Sequence, residues 1–250
     1  LAKFKINLKK VKKNQQKNQW ITMKKKKTAT PKYHTQTLKT VNADTSSKEP
    51  NMPNQKTLQK IGAAFGFAVP IVAFTCISAA ILSYPQFSWT NNALSDLGVV
   101  PGFTAAVFNV GLFTAGLLGV LFAVLGLFNY FKDSLFGKAG SLVFGFAMIW
   151  LIAIGIFNEN YRPAHFIVSV LFFATLPIAL WIITAALYRR HEVKLAVFTL
   201  IASFTAAAPW ILYYTIQYVP NVAIPETISG LTGAIWAIII SHKIIKTAKT

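Results

Sequence analysis

Residues 61–83 read IGAAFGFAVPIVAFTCISAAILS, an apolar run without a Lys, Arg, Asp or Glu. A bilayer core about 30 Å thick is crossed by about 20 helical residues, so this stretch is long enough to span one. Five further segments qualify, at about 104–131, 139–157, 166–188, 195–218 and 227–242. The last has a short apolar core, but Ile235 to Ile240 carry it. The expectation is an all-α, six-span transmembrane helical bundle occupying residues 61–250. Composition agrees: 54% of the chain is hydrophobic and 13% charged, against about 25% charged in water-soluble domains. A chain this poor in charge has too little polar surface to face water on all sides, so its solvent is lipid.

The net charge of +18 suggests nucleic acid until it is divided along the chain. Residues 1–60 hold 16 Lys and 2 acids, and residues 61–250 hold 9 Lys or Arg and 5 acids. The first segment is rich in Lys, Asn, Gln and Thr, has no sustained apolar periodicity and is broken by Pro31, Pro50 and Pro53. Such a segment buries too little surface to offset its ordering entropy, so 1–60 is expected to be a disordered basic cytoplasmic tail. No apolar h-region precedes Ile61, and a signal peptide is not expected. The runs Lys9-Lys10, Lys12-Lys13 and Lys24 to Lys27 have two readings. They attract anionic lipid headgroups, at about 1 kcal/mol per Lys near the surface, or they form a solvated tail that fixes topology. Nucleic-acid binding is not expected, because aromatic and Arg interleaving is nearly absent.

Orientation follows from the basic residues between spans. Lys132, Lys138, Arg189, Arg190, Lys194, Lys243, Lys246 and Lys249 share one side with the tail, and Arg162 alone lies on the other. The expectation is a plasma-membrane protein with both termini cytoplasmic and loops 84–103, 158–165 and 219–226 outside. Gly62 and Gly66, and Ser141 and Gly145, carry the small-xxx-small spacing of close helix contacts, read here as packing between spans. Pro70, Pro177 and Pro209 fall inside spans one, four and five and are expected to bend them. The single Cys76 has no Cys partner for a disulfide or a zinc site.

Chemistry-bearing groups gather on the expected outer side: Ser95, Asp96, Glu159, Arg162, His165 and Glu226, with Asn109 and Ser169 slightly deeper in spans two and four. Loop 84–103 contains Leu94-Ser95-Asp96-Leu97-Gly98. Its Leu94, Leu97, Val99 and Val100 are too apolar for free solvation, so it is expected to fold back on the bundle and carry Asp96 with it. Pro163 suits a first helical turn, which puts His165 in that turn and Ser169 one turn deeper on the same face. Asp96 is expected within hydrogen-bonding range of Arg162 or His165. Three readings stay open: a structural ion-pair network that also uses a loop carbonyl for His165, a lipid-headgroup site, or catalysis with Asp96 and His165 as an acid–base pair. Asp96, His165 and Glu159 or Glu226 are also of the types that ligate a divalent metal, but no metal is expected. No cofactor is called for, and GxSxG, HExxH and P-loop patterns are absent from the sequence.

Leu94-Ser95-Asp96-Leu97-Gly98, then Phe108-Asn109, then His165-Phe166 with Ser169, Leu171, Phe172 and Phe173, resemble the archaeal and bacterial DUF998 membrane proteins over about 61–245. The resemblance implies a six-span fold in a prokaryotic plasma membrane and no particular reaction. A looser likeness runs to the eukaryotic FRAG1/DRAM/Sfk1 group, six-span proteins with a similar Ser-Asp-x-Gly loop that are linked with lipid and GPI-anchor handling. The leading expectation is therefore a non-enzymatic membrane protein that recognises a lipid or a partner through the outer polar cluster. An enzyme acting on a lipid-linked substrate through Asp96 and His165 is the alternative. A small transporter is third, because no charge lies near mid-membrane.

Overall fold

The computed structural model describes residues 54–249. The tail expected over 1–60 lies outside the described residues except for its last seven. Six long helices follow: α1 (Gln55–Leu82), α2 (Phe103–Leu121), α3 (Leu135–Ile156), α4 (Ala164–Arg189), α5 (Val193–Ile216) and α6 (Ala223–Lys249). Helix α2 continues through a π-helical stretch, Phe122–Phe128, which the apolar pattern alone does not announce. All six are long and apolar enough to cross a membrane, and the chain is an integral membrane protein.

The helices outrun the apolar cores read from sequence. Helix α1 starts at Gln55, six residues before Ile61, so Gln55 to Lys60 belong to the bundle and not to the tail. Asn54 caps it by accepting from the Lys56 amide at 2.7 Å. Gln55 and Gln59 then donate to the Asn129 carbonyl at 3.3 and 2.9 Å, so polar side chains dock this first turn where apolar ones are missing. Helix α6 likewise extends to Lys249, with Lys246 and Lys249 in its last turn, where cations favour the negative end of the helix dipole.

Each helix packs against its neighbours in the chain, and α6 closes the ring against α1. Helix α1 approaches α2 through Gly62, where a Cβ would overlap the backbone of Leu125 and Gly126. The Gly62/Gly66 face is thus used inside the bundle, as is Ser141, which is buried on α3. The interior centres on Trp236, whose ring lies 5.3 Å from Phe144 and 6.5 Å from Phe122, and whose Nε1 donates to Thr199 Oγ1 at 3.2 Å. Large apolar side chains such as Ile71, Leu142 and Phe146 point outward, the expected arrangement when the solvent is hydrocarbon. The bundle therefore has two polar ends. One carries loop 84–103 and the α3–α4 and α5–α6 connections. The other carries the α2–α3 and α4–α5 turns with the first turn of α1.

Candidate functional site

At the first of these ends the apolar Leu residues of loop 84–103 fold it back on the bundle. Leu94 and Leu97 are buried in the core, and Leu94–Val99 form a short 3-10 helix. Asp96 caps this turn: its Oδ2 accepts from the Ala93 amide at 3.0 Å and from Asn92 Nδ2 at 2.8 Å. The loop is pinned to the α5–α6 connection by Asn221 N to the Thr90 carbonyl, Ala223 N to the Asn92 carbonyl, and Asn221 Nδ2 to the Asn91 carbonyl. Glu226, in the first turn of α6, accepts from the Leu94 amide through Oε2 at 2.6 Å. Asn109 donates to the Gly98 carbonyl at 2.8 Å.

Glu159 is the hub of this end. It sits in a one-turn 3-10 helix, Glu159–Tyr161, capped by Asn158. Its Oε1 accepts from Ser95 Oγ at 3.1 Å and lies 3.1 Å from His165 Nε2, while its Oε2 accepts from Arg162 Nε at 2.7 Å. The expected approach of Asp96 to Arg162 or His165 is not what forms: Glu159 pairs with both. The reason is local. The short Asp96 side chain turns back into its own 3-10 turn, whereas Glu159 precedes Arg162 by three residues and reaches it directly. His165 does find a loop carbonyl, with Nδ1 2.7 Å from Phe157 O. A carbonyl only accepts, so Nδ1 carries a hydrogen, and a proton is then needed between Nε2 and Glu159 Oε1. With both ring nitrogens engaged, His165 acts as a strut between the α3–α4 connection and α4. Ser169 Oγ lies 3.4 Å from the same Nε2. The Asp96–His165 pair that the catalytic reading needs therefore does not form.

Beside this hub a cleft of about 1010 Å³ runs down between α4 and α5. Ser95, Asp96, Glu159, Arg162, His165 and Glu226 line its polar end, and Ser169 lies one turn below. The rest of the wall is apolar and aromatic, from Phe166 and Phe173 on α4 down to Pro177, and Ala207, Trp210 and Ile211 on α5. The cleft opens sideways: Phe166, Ile211 and Tyr214 on its rim are 60%, 61% and 65% exposed on the lipid-facing side of the bundle. Trp210 is held by Ser229, which accepts from its Nε1 at 3.0 Å and donates to the Ala206 carbonyl at 2.7 Å, and its ring lies 4.4 Å from Phe173.

A second, smaller cavity of about 110 Å³ lies inside the bundle, walled by apolar side chains including Val69, Pro70, Phe108 and Met148. It abuts the cleft at Ser95, Ser169, Phe173 and Glu226. Pro70 lies on this chamber and Pro177 on the cleft.

Seven of the eight residues singled out by sequence thus meet at one cleft. Asn109 does not: it ties the loop to α2, and its buried Oδ1 has no hydrogen-bond partner among the described residues. Among the described residues, no three His, Cys, Asp or Glu side chains converge as a metal site would require. The cleft's aromatic wall was missed. Tyr213 and Tyr214, near the end of α5, fit the aromatic enrichment found at membrane interfaces, and only the packing of α5 on α4 shows that Trp210 and its neighbours also face a cavity.

A family model described as "Protein of unknown function (DUF998)" matches residues 67–243, and the chain belongs to that family. No curated protein and no solved structure matches it.

Proposed function

We propose that this DUF998 protein binds an amphiphile of the surrounding bilayer in the cleft between α4 and α5. The observation that carries the reading is the shape and chemistry of that cleft. One end is polar, the body is apolar and aromatic, and the long side opens to lipid. An acyl chain can enter laterally and bury apolar surface against Phe173 and Trp210 while its headgroup stays at the Glu159 hub. Sites for small amphiphiles are typically apolar clefts with a few placed polar groups. The Lys and Arg distribution supports placing the cleft end outside the cytoplasm, with both termini inside. The Lys-rich residues 1–60 would add attraction to anionic headgroups on the opposite surface. Catalysis has weaker support, because both nitrogens of His165 are occupied by structural contacts.

Ala174 and Ala207 line the cleft from facing helices, which makes them places to fill it. Native mass spectrometry of the protein extracted in mild detergent should show one retained lipid. Ala174→Trp and Ala207→Trp should each release it while the thermal unfolding transition is preserved. Retention of the lipid by both folded variants would overturn the proposal.

A further inference from the structure

From the hydrogen-bond accounting of the cleft's polar end, we infer that the amphiphile carries a cationic ammonium headgroup, an inference that rests on the cleft being a lipid site. Five ionisable side chains line that end. Glu159 has both oxygens engaged, by Ser95, His165 and Arg162. The two basic groups are thereby matched: Arg162 and His165 both face the same carboxylate. What is left over is acidic. Asp96 uses only Oδ2, for Ala93 and Asn92, and Glu226 uses only Oε2, for Leu94. Their other oxygens, Asp96 Oδ1 and Glu226 Oε1, have no hydrogen-bond donor among the described residues, and neither residue forms a salt bridge with a described Lys, Arg or His.

A headgroup arriving in the cleft therefore meets two carboxyl groups with acceptor capacity to spare and no unmatched cation. An anionic headgroup would face the Asp96 carboxylate, with Arg162 already held by Glu159. An ammonium group supplies what is missing, since charge-assisted N–H to carboxylate bonds are the strong ones and an approaching cation favours the charged form of each carboxyl. The aromatic wall points the same way. Trp210, Tyr213 and Tyr214 line the cleft just below this end, and aromatic faces attract ammonium groups.

The test uses the full chain, stripped of lipid in detergent and offered lipids of identical acyl chains: phosphatidylethanolamine, a trimethylammonium lipid without phosphate, and phosphatidylglycerol. Native mass spectrometry reads the retained species, and free choline is tested as a competitor. The two ammonium lipids should be retained over phosphatidylglycerol by about tenfold or more, the scale of a single favourable charge contact. Asp96→Asn and Glu226→Gln, which keep the acceptors for Ala93 and Leu94, should collapse that ratio toward one while the thermal transition persists. Equal or better retention of phosphatidylglycerol by the wild type overturns the inference and leaves the cleft reading standing. Retention of no lipid at all overturns the cleft reading itself. Failure of choline to compete assigns the ligand to the bilayer. Choline binding as tightly as the lipids keeps the ammonium chemistry but overturns the amphiphile.

Discussion

The two polar ends of the bundle treat their carboxyl groups differently. At the end carrying the α4–α5 turn, Glu192 precedes α5, and both of its oxygens are saturated. Oε1 lies 3.2 Å from Arg190 Nε, Oε2 lies 2.9 Å from Lys243 Nζ, and the Tyr130 hydroxyl reaches both oxygens at 2.9 and 3.0 Å. Arg190 also donates to the Tyr130 carbonyl at 2.7 Å, and its guanidinium sits over the Tyr130 ring at 4.3 Å. Burial, reinforced by Glu192, pushes the Tyr130 phenol well above its ordinary range, so it stays a hydrogen-bond donor. This network joins α2, α4, α5 and α6 and engages both oxygens of Glu192. At the cleft end, one carboxylate of three is saturated and two keep an oxygen open beside a large cavity. A carboxyl group that serves only stability is paired, because an unpaired one in a partly desolvated place is costly. The contrast fits a locking role for one end and the proposed receiving role for the other.

Breaking the lock should give the larger effect. Glu192→Ala removes the acceptor for Tyr130, Arg190 and Lys243 together and should destabilise the bundle by about 2–3 kcal/mol, the range for hydrogen bonds to charged groups that lose their partner. The measurement is thermal or denaturant unfolding in detergent. Arg190 and Lys243 are about a third exposed, so water recovers part of the loss and the upper end of that range should not be exceeded. Lipid retention should be unchanged in Glu192→Ala. A stability loss below a few tenths of a kcal/mol would remove the distinction between the ends.

Within the cleft end, Glu159 is the residue that resembles the lock, and its substitution should fall between the extremes. Glu159→Gln keeps an oxygen for Ser95 but loses the charge that faces Arg162 and His165. Arg162 is largely exposed, and exposed pairs contribute about 0–1 kcal/mol. The buried His165 contact supplies the rest, for an expected loss of about 1–2 kcal/mol. A loss as large as that of Glu192→Ala would make the Glu159 hub a second lock.

The spans were legible because lipid imposes a simple rule on composition, and 61–83 alone nearly states it. The helix ends were less legible, since Gln55 and Gln59 extend α1 by hydrogen bonds to the Asn129 carbonyl that no apolar window sees. The cluster of candidates was readable from scarcity: few charged groups occur in 61–250, and those of the long loops share one end. The pairing within it was not. Asp96 and Glu159 are both acids near Arg162 in the expected topology, and only the backbone of two 3-10 turns decides which one reaches it. The π stretch at Phe122–Phe128 and the cavity beside Trp210 depend on how helices pack, which periodicity in this uniformly apolar chain does not encode.

The smallest expected effect on stability separates the two roles most directly. Glu226→Gln preserves the side-chain length and the oxygen that accepts from the Leu94 amide, and removes only an acidic group with no cationic partner among the described residues. If Glu226 belonged to a structural network like that of Glu192, this change would destabilise by about 1–3 kcal/mol. As a group held open for a ligand, it should leave the unfolding midpoint level or slightly raised, because residues kept for function often sacrifice stability. The comparison is made in delipidated protein, where no bound amphiphile adds its own stabilisation. When the preferred lipid is added back, the wild type should gain more thermal stability than Glu226→Gln, reversing the order of the two midpoints or, where they start level, opening a gap in favour of the wild type. A Glu226→Gln protein that is less stable without lipid and gains as much as the wild type with it would place Glu226 with Glu192, as part of the frame and not of the site.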